Sequence, residues 1–479
     1  MNKQRRIITA VALASMVLTT GCASHVHSHN VSRRAAVIGQ SAVLYVNSSY
    51  VSRVTRPVTY FSSLASYTIK SGGGLARRAT LHALQMPTLD GTVMEVANAE
   101  PMDLGDFELQ LDRLTGTHQT KGTVDFHVDG EEYFTRLERA IDDATSSIDI
   151  RTYIFDNDDY GVEIADRLKR RSANVRVRVM VDGLGNTQAM QVDPDSMPVD
   201  FLPPLSMADY MENDSDIRVR YVANPFLTGD HTKTTIVDGR IAFVGGMNIG
   251  REYRYDWHDL MMELRGPVVD DLQFESDKAW ARSGILGDIA NFVRFIEGKK
   301  ELAEDVGAPI RILRTRDFDS DIYTAQLAAV RNARSYIIIE NAYFSDDLMQ
   351  FELAKARRRG VDVRVILPAA GNHGALNASN KVATNMMLEN GIRVYIYPGM
   401  SHVKAAIFDG WVCVGSANLD KLSLQINKEL NIATSDREIA RNLMQKVFLP
   451  DLAASEEIFV PYSIDLRARL AEMVVDEFL

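Results

Sequence analysis

Cysteine is nearly absent: Cys22 and Cys413 are the only two in 479 residues. Two cysteines cannot staple a chain of this size, which excludes a disulfide-framework fold. Excess positive charge is missing as well. Lys and Arg number 53 against 64 Asp and Glu, a formal net charge of −11. A nonspecific nucleic-acid binder needs a basic footprint, so no nucleic-acid partner is expected. Apolar runs long enough to cross a bilayer are also wanting. Residues 7–18 form an apolar stretch behind Lys3, Arg5 and Arg6, too short to span and flanked like a signal peptide. What remains is ordinary globular material, 46% hydrophobic and 24% charged, with enough length for two to four domains.

The most informative stretch is 231–248, H-T-K-T-T-I-V-D-G-R-I-A-F-V-G-G-M-N. His231 and Lys233 are two apart and project from one face of a strand. Asp238-Gly239 between apolar residues predicts a tight hairpin turn. The pattern recurs at 402–418, with His402, Lys404, Asp409, Gly415, Ser416 and Asn418, one residue shorter after its aspartate.

The surroundings recur too. Residues 147–155, S-I-D-I-R-T-Y-I-F, return as a strand from Ser335 that ends in Tyr343-Phe344. The alternating valines 175, 177, 179 and 181 return at 361, 363 and 365, a strand pattern in both copies. The offset between copies shrinks from 188 at Ser147 to 186 at Val175 and 171 at His231. The first copy therefore carries an extra loop near 193–215, long enough to serve a function. This duplication predicts two similar α/β halves related by a pseudo-two-fold axis. Asp129 with Glu132 suggests a capping box for the first helix of the duplicated body.

Phosphodiester chemistry suits the repeated residues. Two lysines and neutral donors such as Asn248 and Asn418 can hold the non-bridging oxygens without metal. One imidazole can attack phosphorus while the other moves the proton. Each needs an acceptor on its second nitrogen. Asp259, 28 residues after His231, and Glu429, 27 after His402, qualify.

Two H-x-K-x4-D motifs, each followed by G-x-x-N, resemble the phospholipase D superfamily. V-G-G-M-N-I-G-R-E-Y and W-H-D-L-M-M-E-L-R-G-P-V-V are similar to stretches of bacterial cardiolipin synthases. Two departures are N-A-Y-F, in place of a proline-containing P-Y-F, and the shortened second motif. The resemblance implies two phospholipase D-type halves, each a mixed sheet flanked by helices, over 126–300 and 301–479. It implies a phosphohistidine mechanism with His231 attacking, and His231, Lys233, Asp238, His402, Lys404 and Asp409 counted as catalytic. Asp238 and Asp409 also suit a simpler role, since residues at turns fix hairpins. Asp259 and Glu429 would orient the histidines, and Asn248, Asn418 and Ser416 would bind phosphate. No cofactor or metal is implied. Phosphatidyl transfer giving cardiolipin is the expected reaction. Hydrolysis to phosphatidic acid, a periplasmic nuclease and a noncatalytic lipid-binding lipoprotein are the alternatives. Partners would be anionic or zwitterionic phospholipids.

L-T-T-G-C at 18–22 is similar to a bacterial lipoprotein signal. Residues 1–22 then form a leader, and a lipidated Cys22 would anchor the mature chain to the cell envelope. Ala23 resembles outer-membrane sorting with a periplasm-facing body. The segment 23–125 has no assigned role. His25, His27 and His29 read as linker residues, Ser71 to Gly74 as a flexible break, and 107–114 as a stretch that packs on the body. His258 is expected on the face opposite Asp259. Tyr153, Phe155, Tyr343 and Phe344 could line a groove or fill a core. The tail, 464–479, has helical spacing and enough acid to favour docking on the protein itself.

Overall fold

The structure, a computed structural model, describes residues 28–83, 95–189, 198, 200–222, 228–300, 307–371 and 374–464. The leader, Cys22, His25, His27, residues 193–197 and 199 of the extra loop, and the C-terminal tail past 464 lie outside the described residues. Two sets of strands share one arrangement. The first set is β1 (Gln119–Val128), β2 (Ser147–Thr152), β3 (Arg176–Asp182), β4 (Arg218–Val222), β5 (Thr234–Val237), β6 (Ile241–Gly245) and β7 (Leu260–Arg265). The second is β8 (Ala308–Arg316), β9 (Asp319–Ser320), β10 (Tyr336–Asn341), β11 (Asp362–Pro368), β12 (Arg393–Tyr397), β13 (Lys404–Phe408), β14 (Trp411–Gly415), β15 (Glu429–Thr434) and β16 (Glu456–Ile458).

Counting outward from the middle, the first half runs β1-β7-β6-β5-β2-β3-β4 and the second β8-β15-β14-β13-β10-β11-β12, with β16 added at the edge. The halves join where β1 pairs antiparallel with β8, Gln119 opposite Arg311. Antiparallel pairing of two equivalent strands is what a two-fold axis between them requires, so sixteen strands form one sheet. β2–β3 and β10–β11 pair parallel while the motif hairpins pair antiparallel. β1 starts at Gln119, so the first half begins inside the stretch assigned above to the extension.

Periodicity explains the layers. Phe134, Leu137 and Ile141 of the helix Asp129–Asp143 meet Ile148, Ile150, Val177 and Val179 of the sheet in one buried cluster. On the other face of those strands Arg176 and Arg178 bond Asp149, and Arg178 also bonds Asp277, so valine and isoleucine alternate with charge. The capping box is only half present. Glu132 reaches back to the Val128 N–H (3.0 Å). Asp129 adopts φ +64° and gives its carboxylate to His258 instead, at 2.7 Å.

His29 is not in a linker, because the helix Ser28–Thr55 already includes it. Ser71 to Gly74 is not a break either. The helix Pro57–Ala83 runs through it. Tertiary contacts offset the glycine penalty of ~1 kcal/mol per residue: Lys70 Nζ donates to the carbonyls of Arg316 and Asp319 (2.9 and 3.0 Å), and Ser63 Oγ donates to Asp317 (2.6 Å). The helix Leu104–Thr115 buries Phe107 and Leu111 against the second half, Phe107 edge-on to Trp411 with centroids 5.4 Å apart. Fully buried Arg311 ties it down through Glu108 and Asp112, each at 2.7 Å. The described end of the 193–215 loop forms the helix Met207–Glu212. Among the described residues no helix is long and apolar enough to cross a membrane.

Both motif turns adopt left-handed backbone at their aspartate, Asp238 at φ 55° and Asp409 at φ 51°; the first is a three-residue loop between paired Val237 and Ile241, the second a two-residue loop between Phe408 and Trp411. Asp238 accepts from the backbone N–H groups of Thr145, Ser146 and Ser147 at 2.8, 2.7 and 2.9 Å. Asp409 accepts likewise from Arg334, Ser335 and Tyr336, and also from Met102. Burial by itself would raise the Asp238 carboxyl, but the backbone donors together outweigh it and hold the group far below its usual range. A depressed carboxylate stabilises above its unfolded pKa of ~3.9 and loses that contribution as the pH falls through its folded value. Asp238→Ala is therefore expected to cost about 1–3 kcal/mol at neutral pH. Thermal melts from pH 7 to 3 check this: the gap between variant and parent should narrow below pH ~4.

Candidate active site

His231 and Lys233 stand just ahead of β5, and His402 stands just ahead of β13, whose first residue is Lys404. Backbone bonds between the halves place them. The His231 N–H donates to the Lys428 carbonyl (2.9 Å), and the His402 N–H donates to the His258 carbonyl (2.7 Å). Lys428 and His258 immediately precede Glu429 and Asp259. Each histidine is thereby set against the acid of the other half. His231 Nδ1 lies 2.9 and 3.1 Å from the Glu429 oxygens. His402 Nδ1 lies 2.7 Å from Asp259 Oδ2. The acids serve not the histidine they follow in sequence but its counterpart.

Both carboxylates are inaccessible and further anchored. Ser416 Oγ donates to Glu429 (2.5 Å) and the Leu260 N–H donates to Asp259 (2.7 Å). With Nδ1–H given to a carboxylate, each ring presents Nε2 for chemistry. The His231 side chain keeps 13% of its surface exposed and His402 keeps 7%.

Lys233 Nζ donates to the His231 carbonyl (2.7 Å) and Lys404 Nζ to that of His402 (2.5 Å). The charges of both lysines reach both Asp259 and Glu429, so the two motifs share one centre. Burial pushes Asp259 up to about 7 and Glu429 up to about 8, with the lysines pulling back. Burial lowers Lys404 to about 8 and lowers Lys233 as well, because the acids only partly compensate. His231 falls well below its ordinary value through burial, then through Lys233 and Lys404. The centre is dry and its cations are under-compensated, which an incoming phosphodiester would correct.

Aromatic rings frame the imidazoles. Tyr153 meets His231 edge-on at 4.8 Å and lies under Lys233 Nζ at 5.2 Å. Tyr253 and Trp257 pack on His402 at 5.7 and 5.3 Å. Phe155 and Phe344 are fully buried core instead, and Tyr343 is buried as well. Asn248 accepts from the Ile154 N–H (3.0 Å) and donates to the Tyr253 hydroxyl (2.7 Å). It fixes the ring beside His402, and that amide hydrogen is turned away from a phosphate role. Asn418 is buried with its carbonyl oxygen unpaired, and its side chain bonds Asp420. Asp238 and Asp409 are not brought to the histidines. They sit at the far ends of the two hairpins, holding backbone.

His258 does turn away from the side of Asp259. Its ring is buried between halves, stacked on Tyr397 at 4.6 Å, with Nδ1 on Asp129 and Nε2 on Asp451 (3.2 Å). Among the described residues, His258, Glu340 and Asp451 form one group with metal-ligating spacing, and Asp156, Asp158 and Glu252 another. Neither contains a motif residue. Spacing alone had no means to disclose the crossed pairing or the roles of Tyr253 and Trp257, because each depends on how the halves meet.

A family model described as "Cardiolipin synthase, PLD-like domain" matches residues 137–280 and 327–448. Cardiolipin synthase B of Escherichia coli (strain K12) is 29% identical over 350 residues, 69% of this chain and 82% of that protein. A cardiolipin synthase of Clostridium perfringens (strain SM101) is 27% identical over 362 residues, 71% of this chain and 73% of that protein. Among solved structures, the phosphatidylserine synthase of Haemophilus influenzae Rd KW20 shares the fold with a TM-score of 0.60 at 13% identity, covering 78% of this chain and all of that one. Two fused halves, one buried histidine–lysine centre and a family model spanning more than half of the residues agree: this chain belongs to the phospholipase D-like family of cardiolipin synthases, a family of phosphatidyltransferases.

Proposed function

We propose that the enzyme moves a phosphatidyl group between phospholipids and makes cardiolipin, with phosphatidylglycerol as acceptor and phosphatidylglycerol or phosphatidylethanolamine as donor. His231 Nε2 attacks phosphorus and a P–N bond forms. The P–O bond to the headgroup alcohol breaks, and His402 Nε2–H gives that oxygen its proton. The acceptor hydroxyl then returns a proton to His402. Its oxygen attacks phosphorus and the P–N bond breaks. Lys233 and Lys404 hold the non-bridging oxygens, and Ser416 holds Glu429 behind His231. The observation that carries this reading is the crossed pairing, in which each imidazole gives Nδ1 to the acid of the opposite half. The lowered basicity of His231 keeps that ring neutral, as a nucleophile must be. A lipid anchor at Cys22, sorted to the outer membrane with the body facing the periplasm, completes the proposal by keeping the enzyme at its substrate.

Lipid mass analysis after incubation with phosphatidylglycerol vesicles, with and without phosphatidylethanolamine, tests the reaction. Cardiolipin is expected. Phosphatidic acid alone would make the enzyme a hydrolase, and nicked plasmid with untouched lipid would make it a nuclease. His231→Ala and His402→Ala should each lower turnover by about 10³-fold or more. A chelator should leave activity intact, since the lysines do the electrostatic work; activity lost in chelator and restored by one ion would contradict this. The pH profile of kcat/KM should rise on its acid side as Asp259 and Glu429, pushed up to about 7 and about 8 by burial, ionise to hold the imidazoles. A basic limb is expected near 8, where Lys404 gives up its proton. Lys404→Arg should move that limb upward.

A further inference from the structure

The helix Gly287–Glu297 is inside out. It buries only Gly287. Polar groups attach it to the body: Asp288 accepts from the Val58 and Thr59 N–H groups (2.7 and 3.0 Å), Arg294 donates to Asp277 (3.0 Å), and Asn291 accepts from Arg282 (3.5 Å). Its apolar side chains face outward. Ile285, Leu286, Ile289, Phe292, Phe295 and Ile296 are each at least 60% exposed, Ile285 at 85%. Ile289, Phe292 and Ile296 recur at helical spacing and form a stripe. A surface helix of a water-soluble domain turns that stripe to the core, so something apolar covers this one.

The stripe continues onto the N-terminal helices. Asp288 holds the start of the helix Pro57–Ala83, where Val58 and Phe61 are 71% and 61% exposed, and Val54 ahead of them is 78% exposed. These helices pack on two turns that lead toward the catalytic centre. The helix Ser28–Thr55 packs on the turn Gly185–Gln188. Gln188 bonds the Tyr153 hydroxyl (3.5 Å), and Tyr153 rests on His231. The helix Pro57–Ala83 packs on the turn Leu422–Ile426 beyond Asn418.

We infer that the outward face of the helix Gly287–Glu297, with Val54, Val58 and Phe61, docks into the interfacial layer of a phospholipid bilayer. The choice of a bilayer rests on the phospholipid substrate proposed above. It also rests on Cys22, which stands six residues ahead of the helix Ser28–Thr55. An anchor there only tethers the chain, whereas this face orients it. An amphipathic helix lying in the interface buries its apolar side among the acyl chains, and the neighbouring helix Ser28–Thr55 packs on the turn whose Gln188 bonds Tyr153 beside His231. A donor lipid could then reach the imidazole without leaving the membrane.

Full-length protein carrying Phe292→Trp tests the inference on phosphatidylethanolamine–phosphatidylglycerol vesicles with brominated acyl chains. Emission should be quenched relative to the parent, whose three tryptophans give the baseline. The readout reports the depth of residue 292 itself, so tethering through Cys22 does not imitate it. The triple variant Ile289→Ser, Phe292→Ser, Ile296→Ser should lose about tenfold or more activity on vesicles, yet keep its activity on short-chain phospholipid dispersed as monomers. Absence of quenching overturns the inference. A parent that sediments as a dimer and a triple variant that sediments as a monomer overturn it too, because the face would then cover a second copy. Quenching needs no turnover, so a protein that docks without transferring lipid defeats the proposed reaction and leaves the docking surface standing.

Discussion

A hydrogen bond between an imidazole and a carboxylate from the opposite half sets the geometry around it. It occurs twice, Glu429 on His231 and Asp259 on His402. Because the bonds cross, neither half holds a complete centre. The sheet is continuous through β1 and β8 for the same reason: the seam must be rigid if an acid on one side is to aim a ring on the other. The backbone bonds from His231 to Lys428 and from His402 to His258 act as the register pins of that seam. Removing one partner of such a buried pair typically costs about 3–5 kcal/mol, since the remaining charge stays desolvated.

Dryness follows from the same arrangement. Two lysines, two acids and two imidazoles are withdrawn from water, and burial pushes the lysines, the acids and His231 toward their neutral forms. Fixed donors in such a centre need no reorganisation when charge moves to the non-bridging oxygens. Exclusion of water also bears on the outcome, because a covalent phosphoryl intermediate partitions between lipid hydroxyl and water according to which can reach it.

Much of this was legible in the sequence. The Asp-Gly turns, the alternating valines and the shrinking offset between copies are local or periodic signals, and they foretold the hairpins and the paired halves. Signals that depend on assembly were silent. Nothing in the spacing of Asp259 and Glu429 says that they exchange partners. Asp238 and Asp409 belong to the same motif as the histidines yet lie at the opposite ends of the hairpins, where their carboxylates close the turn onto neighbouring backbone. Ser71 to Gly74 reads as a break only while the contacts of Lys70 and Ser63 with the second half are unknown. The inverted helix Gly287–Glu297 has an ordinary amphipathic pattern, and which face turns outward is decided by Asp288, Asn291 and Arg294.

Trapping the covalent intermediate tests the crossed pairing most directly. A phosphatidyl donor with a leaving group that departs without a proton makes the first step independent of the general acid. Peptide mapping after a rapid alkaline quench, which preserves the P–N bond, then reports phosphohistidine on the peptide of His231. The account predicts that Glu429→Gln suppresses this phosphohistidine as His231→Ala does, while Asp259→Asn and His402→Ala still form it and fail to pass the group on. The opposite assignment, with Asp259→Asn suppressing it and Glu429→Gln sparing it, would contradict the exchange of acids between halves.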